Sequence, residues 1–135
     1  MYLFCRNDER RVPIIYESCD NGESWSKPLT HNIPFLSSKI YSGTLSDGRN
    51  YVVGNLDVER KTLAIFFSEP GEFVFTKAFL LQDGMSETIG NGIETWQYPC
   101  AYEADGNLYV LYSAGKKVDN VFKRGAVISV IPLDF

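Results

Sequence analysis

Residues 38–55, SKIYSGTLSDGRNYVVGN, return 58 positions further on as residues 96–113, WQYPCAYEADGNLYVLYS. In both copies an Asp-Gly pair, Asp47-Gly48 and Asp105-Gly106, separates two short runs rich in Tyr and Val, and Tyr51-Val52 falls on Tyr109-Val110. Asp-Gly between such runs is a hairpin signal, because glycine takes the positive φ that a tight turn needs. The start of the chain joins the pattern. MYLFCR matches NYVVGN, and PIIYESCDNGESW matches TLAIFFSEPGEFV, with Ser18 on Ser68 and Gly22 near Gly71. Almost every segment reads as strand, and no stretch carries a helical period.

A unit of about 40 to 60 residues with four short strands joined by tight turns is the signature of a β-propeller blade. The expected fold is therefore all-β, built of antiparallel four-stranded blades of which only about two to three are present. Residues 1–34 form a partial blade entered at its second strand, with strands at 2–6, 12–18 and 25–30. Residues 38–81 form a complete blade with strands near 39–45, 50–55, 62–68 and 73–81. Residues 97–135 form a partial final blade with strands at 97–103, 108–113 and 124–131, and 82–96 is a loop. Propellers close with about four to eight blades, so the chain reads as a fragment or as half of an assembly.

Composition narrows the partners. The chain has 135 residues, 44% of them hydrophobic, enough to bury a core. A net charge of −4 argues against nucleic acid or an anionic membrane surface, which need long-range attraction to a polyanion. The longest apolar runs are strand-length, far short of the roughly 20 residues of a membrane-spanning helix, and no secretory leader is legible in MYLFCRNDERR. Cys5, Cys19 and Cys100 show no metal-binding spacing and are expected to be buried, inert thiols; no metal site and no cofactor is expected. His31, the single histidine, lies in a polar connection before a proline and is expected to be structural.

The stretch ESCDNGESW carries a more specific signal. Asp20 can accept backbone N–H groups, Gly22 supplies positive φ, and Trp25 is expected to fold back and bury its ring. SCDNGESW resembles the Asp-box of the sialidase (neuraminidase) superfamily, also called the BNR repeat. LFCRNDERRVPIIYESCDNGESWSKP is similar to that family's Arg-bearing strand end, strand and box, and YPCAYEADGNLYVLYS is similar to its last-blade pattern. The resemblance covers nearly the whole chain and implies the C-terminal half of a six-bladed propeller. Blade two replaces the box with SEPGEF, and Tyr98 is followed by Pro-Cys where the family has Ser and other small residues.

Strand parity assigns the ends of the blades. The box, Ser18, Asp20, Gly22, Ser24 and Trp25, joins a third and a fourth strand and so lies on the bottom, where it is a structural brace. Arg6, Arg60 and Tyr98 fall on the top. By resemblance they correspond to the second and third arginines of the sialidase arginine triad and to its tyrosine nucleophile. Guanidinium groups suit the carboxylate on the anomeric carbon of sialic acid, and a neutral tyrosine nucleophile avoids repulsion by that carboxylate. A phenol needs a base to act, and the family's glutamate base and aspartate acid/base have no matching segment here. The competing structural reading pairs Arg6 with Asp8 or Glu9 and Arg60 with Asp57 or Glu59, and makes Tyr98 an ordinary strand aromatic.

The connection 83–97 is expected to hang over the top as a flap, with Trp96 a sugar-stacking or core residue and Glu87 and Glu94 solvated. Lys116, Lys117, Lys123 and Arg124 are expected in the analogous loop of blade three. The resemblance implies a sialidase-like glycoside hydrolase acting on sialic acid or another acidic glycan, inactive as this chain alone, and an extracellular or periplasmic location. The alternative is a non-catalytic Asp-box propeller that binds glycan or protein. Unpaired sheet edges favour a homo-oligomer that closes the open propeller.

Overall fold

Two kinds of turn close the strands that the Asp-Gly pairs separate. The computed structural model describes residues 1–34, 38–83, 95–118 and 121–135. At the second pair, Asp105 and Gly106 both take positive φ, 50° and 72°, between the directly paired Ala104 and Asn107. That is a type I′ hairpin, whose twist matches the strands it joins. At the first pair the loop is longer: the Leu45 N–H donates to the Arg49 carbonyl at 2.8 Å, and Gly48 sits at φ 89°.

The result is an all-β chain with no helix among the described residues. Strands β1 (Tyr2–Cys5) and β2 (Ile14–Glu17) form a first sheet. A middle sheet contains β3 (Tyr41–Thr44), β4 (Arg49–Asn55), β5 (Thr62–Pro70) and β6 (Phe75–Asp83) in that order. Strands β7 (Thr95–Ala104), β8 (Asn107–Val118) and β9 (Val121–Pro132) form a third. All pairings are antiparallel and sequential, as in partial propeller blades.

Strand alternation explains how the sheets stack. Side chains of period two point to opposite faces, and the middle sheet is apolar on both. Tyr51, Val53, Leu63, Ile65 and Phe67 pack with Trp96, Leu108, Val110 and Tyr112 of the third sheet. The interleaved Val52 and Phe66 pack with Phe4 and Ile15 of the first. Doubly covered strands read as continuous hydrophobic runs, which is why TLAIFF shows no alternation. Gly43 is required here, since a Cβ would lie 2.6 Å from the Tyr51 hydroxyl. Burial of that ring pushes the Tyr51 phenol up to about 12.

Polar contacts tie the sheets at the end carrying the Asp-Gly turns. Ser46 donates to Glu103 through its N–H (2.8 Å) and its hydroxyl (2.5 Å). Arg49 is buried, bonds Asp47 and the Leu133 carbonyl at 2.7 Å, and lies 4.6 Å from the Phe135 ring centroid.

Several expectations need correction. Residues 25–30 are not a ladder strand. They follow β2 through two backbone bonds, Ser26 N–H to the Glu17 carbonyl and Leu29 N–H to the Ile15 carbonyl, both 2.8 Å, with the Glu17 N–H turned instead to the Ser26 hydroxyl at 3.0 Å, and Pro28 has no N–H to give. Strands β8 and β9 run much further than expected, so Lys116, Lys117, Lys123 and Arg124 lie within a long hairpin rather than in a loop. Cys19 and Cys100 are exposed. A bulge in β7 between Gln97 and Cys100 resets the alternation there and turns Cys100 outward. Most of the expected flap, with Glu87 and Glu94, lies outside the described residues.

Candidate functional site

The two ends of the first sheet differ in chemistry. Tyr2 pairs with Glu17 at one end and Cys5 with Ile14 at the other, so the Asp-box at 18–25 and the loop at 6–13 lie at opposite ends of the same strands.

At the box end, side chains replace a ladder. Ser18 is buried; its hydroxyl donates to Asp20 Oδ1 at 2.8 Å and accepts the Gly22 N–H at 2.7 Å. Asp20 Oδ1 also accepts the Ser24 N–H at 2.9 Å, and Oδ2 accepts the Ser24 hydroxyl. Gly22 lies at φ 95° with the Trp25 ring over it, 3.7 Å from where a Cβ would stand. Trp25 remains 39% exposed, so the ring covers the tip without being buried, contrary to expectation. Every acceptor atom of Asp20 faces its own hairpin.

Donation by the Ser24 hydroxyl and N–H, then by Ser18, holds the Asp20 carboxyl down to about 2. A depressed folded-state value means that its contribution is present above the usual carboxylate range and lost as pH falls through the folded value. Acid titration of the wild type is therefore expected to show a loss of stability between about pH 4 and 2 that is diminished in Asp20→Asn. Identical acid profiles for the two proteins would contradict this.

The other end is cationic. Arg6, Arg11 and Arg60, with Asp8 and Val58, line a single cleft of about 260 Å³. Arg6 Nε is paired with Asp8, as the structural reading expects. Arg60 pairs with neither Asp57 nor Glu59: its Nη1 donates to Gln97 Oε1 at 2.9 Å, and Glu59 bonds Lys61 instead. The turn bearing Arg60 is built around Asp57, whose carboxylate accepts the Lys61 and Thr62 N–H groups at 3.0 and 2.6 Å. Burial works against ionisation of Asp57, yet these donors keep its carboxyl below the usual range.

Tyr98 stands beside this cleft on the β7 bulge, 52% exposed. The Arg60 guanidinium and the Lys39 ammonium each lie 6.0 Å from its ring centroid, the outer limit of a cation–π contact. The structure thus brings Arg6 and Arg60 together and places Tyr98 against Arg60. Trp96, one residue before Gln97, is 1% exposed and packs edge-on to Tyr112 at 5.8 Å. It is a core residue with no ring face open to a sugar, because the inward parity of β7 holds until the bulge.

Arg11, Gln97 and Lys39 were not singled out by the sequence. The run RNDERR did show three arginines in one loop, which is the signal that could have flagged Arg11. Backbone conformation marks the same place. Among the described residues five non-glycine residues have positive φ, and three are Arg11 (58°), Arg60 (62°) and Tyr98 (54°). A bulky residue in that region costs of order 1–3 kcal/mol, and Tyr98 adopts it immediately before a proline, which restricts it further. Trp96 N–H donates to the Arg60 carbonyl at 2.8 Å, so the core itself holds one strained loop in place. His31 is structural: its Nε2–H donates to the Pro13 carbonyl at 2.8 Å, and its Nδ1 accepts the Ile33 N–H at 3.2 Å.

An all-β protein of stacked antiparallel sheets, with an Asp-box hairpin at one end and clustered arginines at the other, defines the class. The family model described as a BNR repeat-like domain matches residues 1–118, and the chain belongs to that family. No curated protein and no solved structure shows significant similarity to it.

Proposed function

We propose that the arginine end is the anion-holding part of a sialidase-like glycoside hydrolase site for sialic acid or another acidic glycan. Arg6 and Arg60 hold the substrate carboxylate and Tyr98 is the nucleophile. The observation that carries this reading is the shared cleft of Arg6, Arg11 and Arg60 with Tyr98 against Arg60. Planar guanidinium groups recognise a carboxylate through paired, charge-assisted hydrogen bonds. A tyrosine can attack an anomeric carbon that bears such a group without like-charge repulsion. The glutamate base and the aspartate acid/base that the resemblance implies have no matching segment in this sequence.

A second reading, glycan binding without chemistry, is favoured by the cleft's own lining, in which the carboxylate, Asp8, is already paired with Arg6. Binding of N-acetylneuraminic acid, followed by amide chemical shifts, tests what the two readings share. The acid is expected to bind and its methyl ester to bind at least tenfold more weakly. Arg6→Ala or Arg60→Ala is expected to lose about 10- to 100-fold in affinity, the worth of a charged hydrogen bond. Equal binding of acid and ester would sink the carboxylate assignment. Sialoside hydrolysis by the longest chain that contains this sequence, abolished by Tyr98→Phe with binding retained, selects the enzyme; binding without turnover selects the module.

A further inference from the structure

Three consecutive residues of β7 fix Arg60. The Trp96 N–H donates to its carbonyl at 2.8 Å, Gln97 Oε1 accepts from its Nη1 at 2.9 Å, and its guanidinium lies 6.0 Å from the Tyr98 ring centroid. The first contact holds the backbone of Arg60 and the second holds its fork. Gln97 therefore decides where the charged end of Arg60 points.

Gln97 is itself held at both ends. It is the last directly paired residue before the β7 bulge, opposite Ser113, whose hydroxyl donates to the Gln97 carbonyl at 3.0 Å. Its side-chain Nε2 donates to Thr95 Oγ1 at 3.0 Å. An amide side chain has one acceptor oxygen and one donor nitrogen, so with the nitrogen engaged by Thr95 the oxygen faces Arg60. A flipped amide would set donor against donor and lose both bonds.

The choice of an amide has an electrostatic consequence. Both acids of the turn that carries Arg60 are engaged elsewhere, Asp57 by the Lys61 and Thr62 N–H groups and Glu59 by the Lys61 ammonium. Among the residues lining the cleft, three guanidinium groups, Arg6, Arg11 and Arg60, face the carboxylate of Asp8, which is paired with Arg6. A carboxylate at position 97 would bond Arg60 more strongly, because that bond would be charge-assisted. It would also cancel the charge that an incoming anion must meet. The amide gives the weaker bond and leaves the charge in place.

We propose that Gln97 is the positioning residue of the anion site: it aims Arg60 through Nη1 and, being neutral, reserves the guanidinium charge for the ligand's carboxylate. The inference rests on the proposed carboxylate role of Arg60 and adds a determinant that does not line the cleft. Gln97 acts through Arg60 alone.

Two variants separate charge from aim. Gln97→Glu keeps an acceptor for Arg60 and offsets its charge, whereas Gln97→Met keeps the side chain's length and neutrality and offers only a weak acceptor. Binding of N-acetylneuraminic acid and of its methyl ester is followed by amide chemical shifts, with urea denaturation as the check on folding. Gln97→Glu is expected to lose about tenfold or more in affinity for the acid and nothing for the ester, so that the preference for the acid disappears. Gln97→Met is expected to lose about threefold for the acid and to keep that preference. A purely structural role predicts the reverse order, since the variant with the stronger bond to Arg60 would be both the more stable and the better binder. Wild-type affinity for the acid in either variant overturns the proposal, as does an equal loss for acid and ester in Gln97→Glu, the mark of a distorted site. A wild type that does not prefer the acid overturns the carboxylate assignment first and this inference with it, which sets that failure apart from the others.

Discussion

Trp96→Ala is expected to lower the free energy of unfolding by about 3–5 kcal/mol, the range for emptying a large aromatic site in a core. Trp96 is among the largest fully buried side chains and sits where the middle and third sheets meet, edge-on to Tyr112. Against a total of about 5–15 kcal/mol for a domain of this kind, that loss is a large fraction of the stability. Trp96→Phe should cost clearly less. It keeps most of the ring volume, and the indole Nε1 it removes is buried with no hydrogen-bond partner, so no bond is lost with it. Chemical denaturation of the three proteins measures the difference. A Trp96→Ala loss below about 1.5 kcal/mol would mean that the surrounding core collapses into the space Trp96 leaves.

The second large effect is expected at Asn55, which is fully buried. Its Nδ2 donates to the Trp96 carbonyl at 3.1 Å and to the Thr62 carbonyl at 3.3 Å, and its Oδ1 accepts the hydroxyl of the buried Ser38. One side chain thus satisfies groups from β5, β7 and the segment entering β3. Asn55→Ala leaves those groups in the interior without it, at about 1–3 kcal/mol for each that finds no substitute, and a total near 2–4 kcal/mol is expected. Asn55 holds the main-chain carbonyl of Trp96, so a backbone shift that follows emptying of the Trp96 site reaches this bond and the double variant should depart from additivity. Additive losses would show that Asn55 and Trp96 act separately. A cost below about 1 kcal/mol at Asn55 would show that the orphaned groups rehydrate or re-pair.

Much of this architecture was legible from residue order alone. The Asp-Gly pairs located two hairpins, since both glycines are needed at positive φ, and the hydrophobic runs located the strands of the middle sheet to within a few residues. Segment 25–30 was misread because its composition suits a strand while Pro28 interrupts the donors. The length of β8 and β9 was hidden because Gly115, Lys116 and Lys123 are poor strand formers, yet a two-stranded extension that pairs with itself tolerates them. At the candidate site, parity placed Arg6 and Arg60 at one end and the structure puts them on one cleft. Arg11 escaped notice because its position depends on how the loop 6–13 folds over, which no strand period encodes. The bulge at Tyr98 was equally invisible, and with it went the inward turn of Trp96 and the exposure of Cys100.

The middle sheet's own hairpin tip, SEPGEF, shows what the Asp-box is worth. Ser68 is as buried as Ser18, its hydroxyl accepts the Asn50 N–H at 2.9 Å, and Gly71 keeps positive φ. No aspartate organises this tip. Asn50 does so from the neighbouring strand, its Nδ2 donating to the Glu72 carbonyl at 2.8 Å. Duplicated units of this kind can therefore lose the acidic signature once a cross-strand amide takes over its donors and acceptors, while the inward serine and the left-handed glycine stay. A census of repeats that counts aspartates will miss such units; one that counts a buried serine followed within a few residues by a left-handed glycine will find them, as Ser18 and Gly22 are followed by Ser68 and Gly71 here.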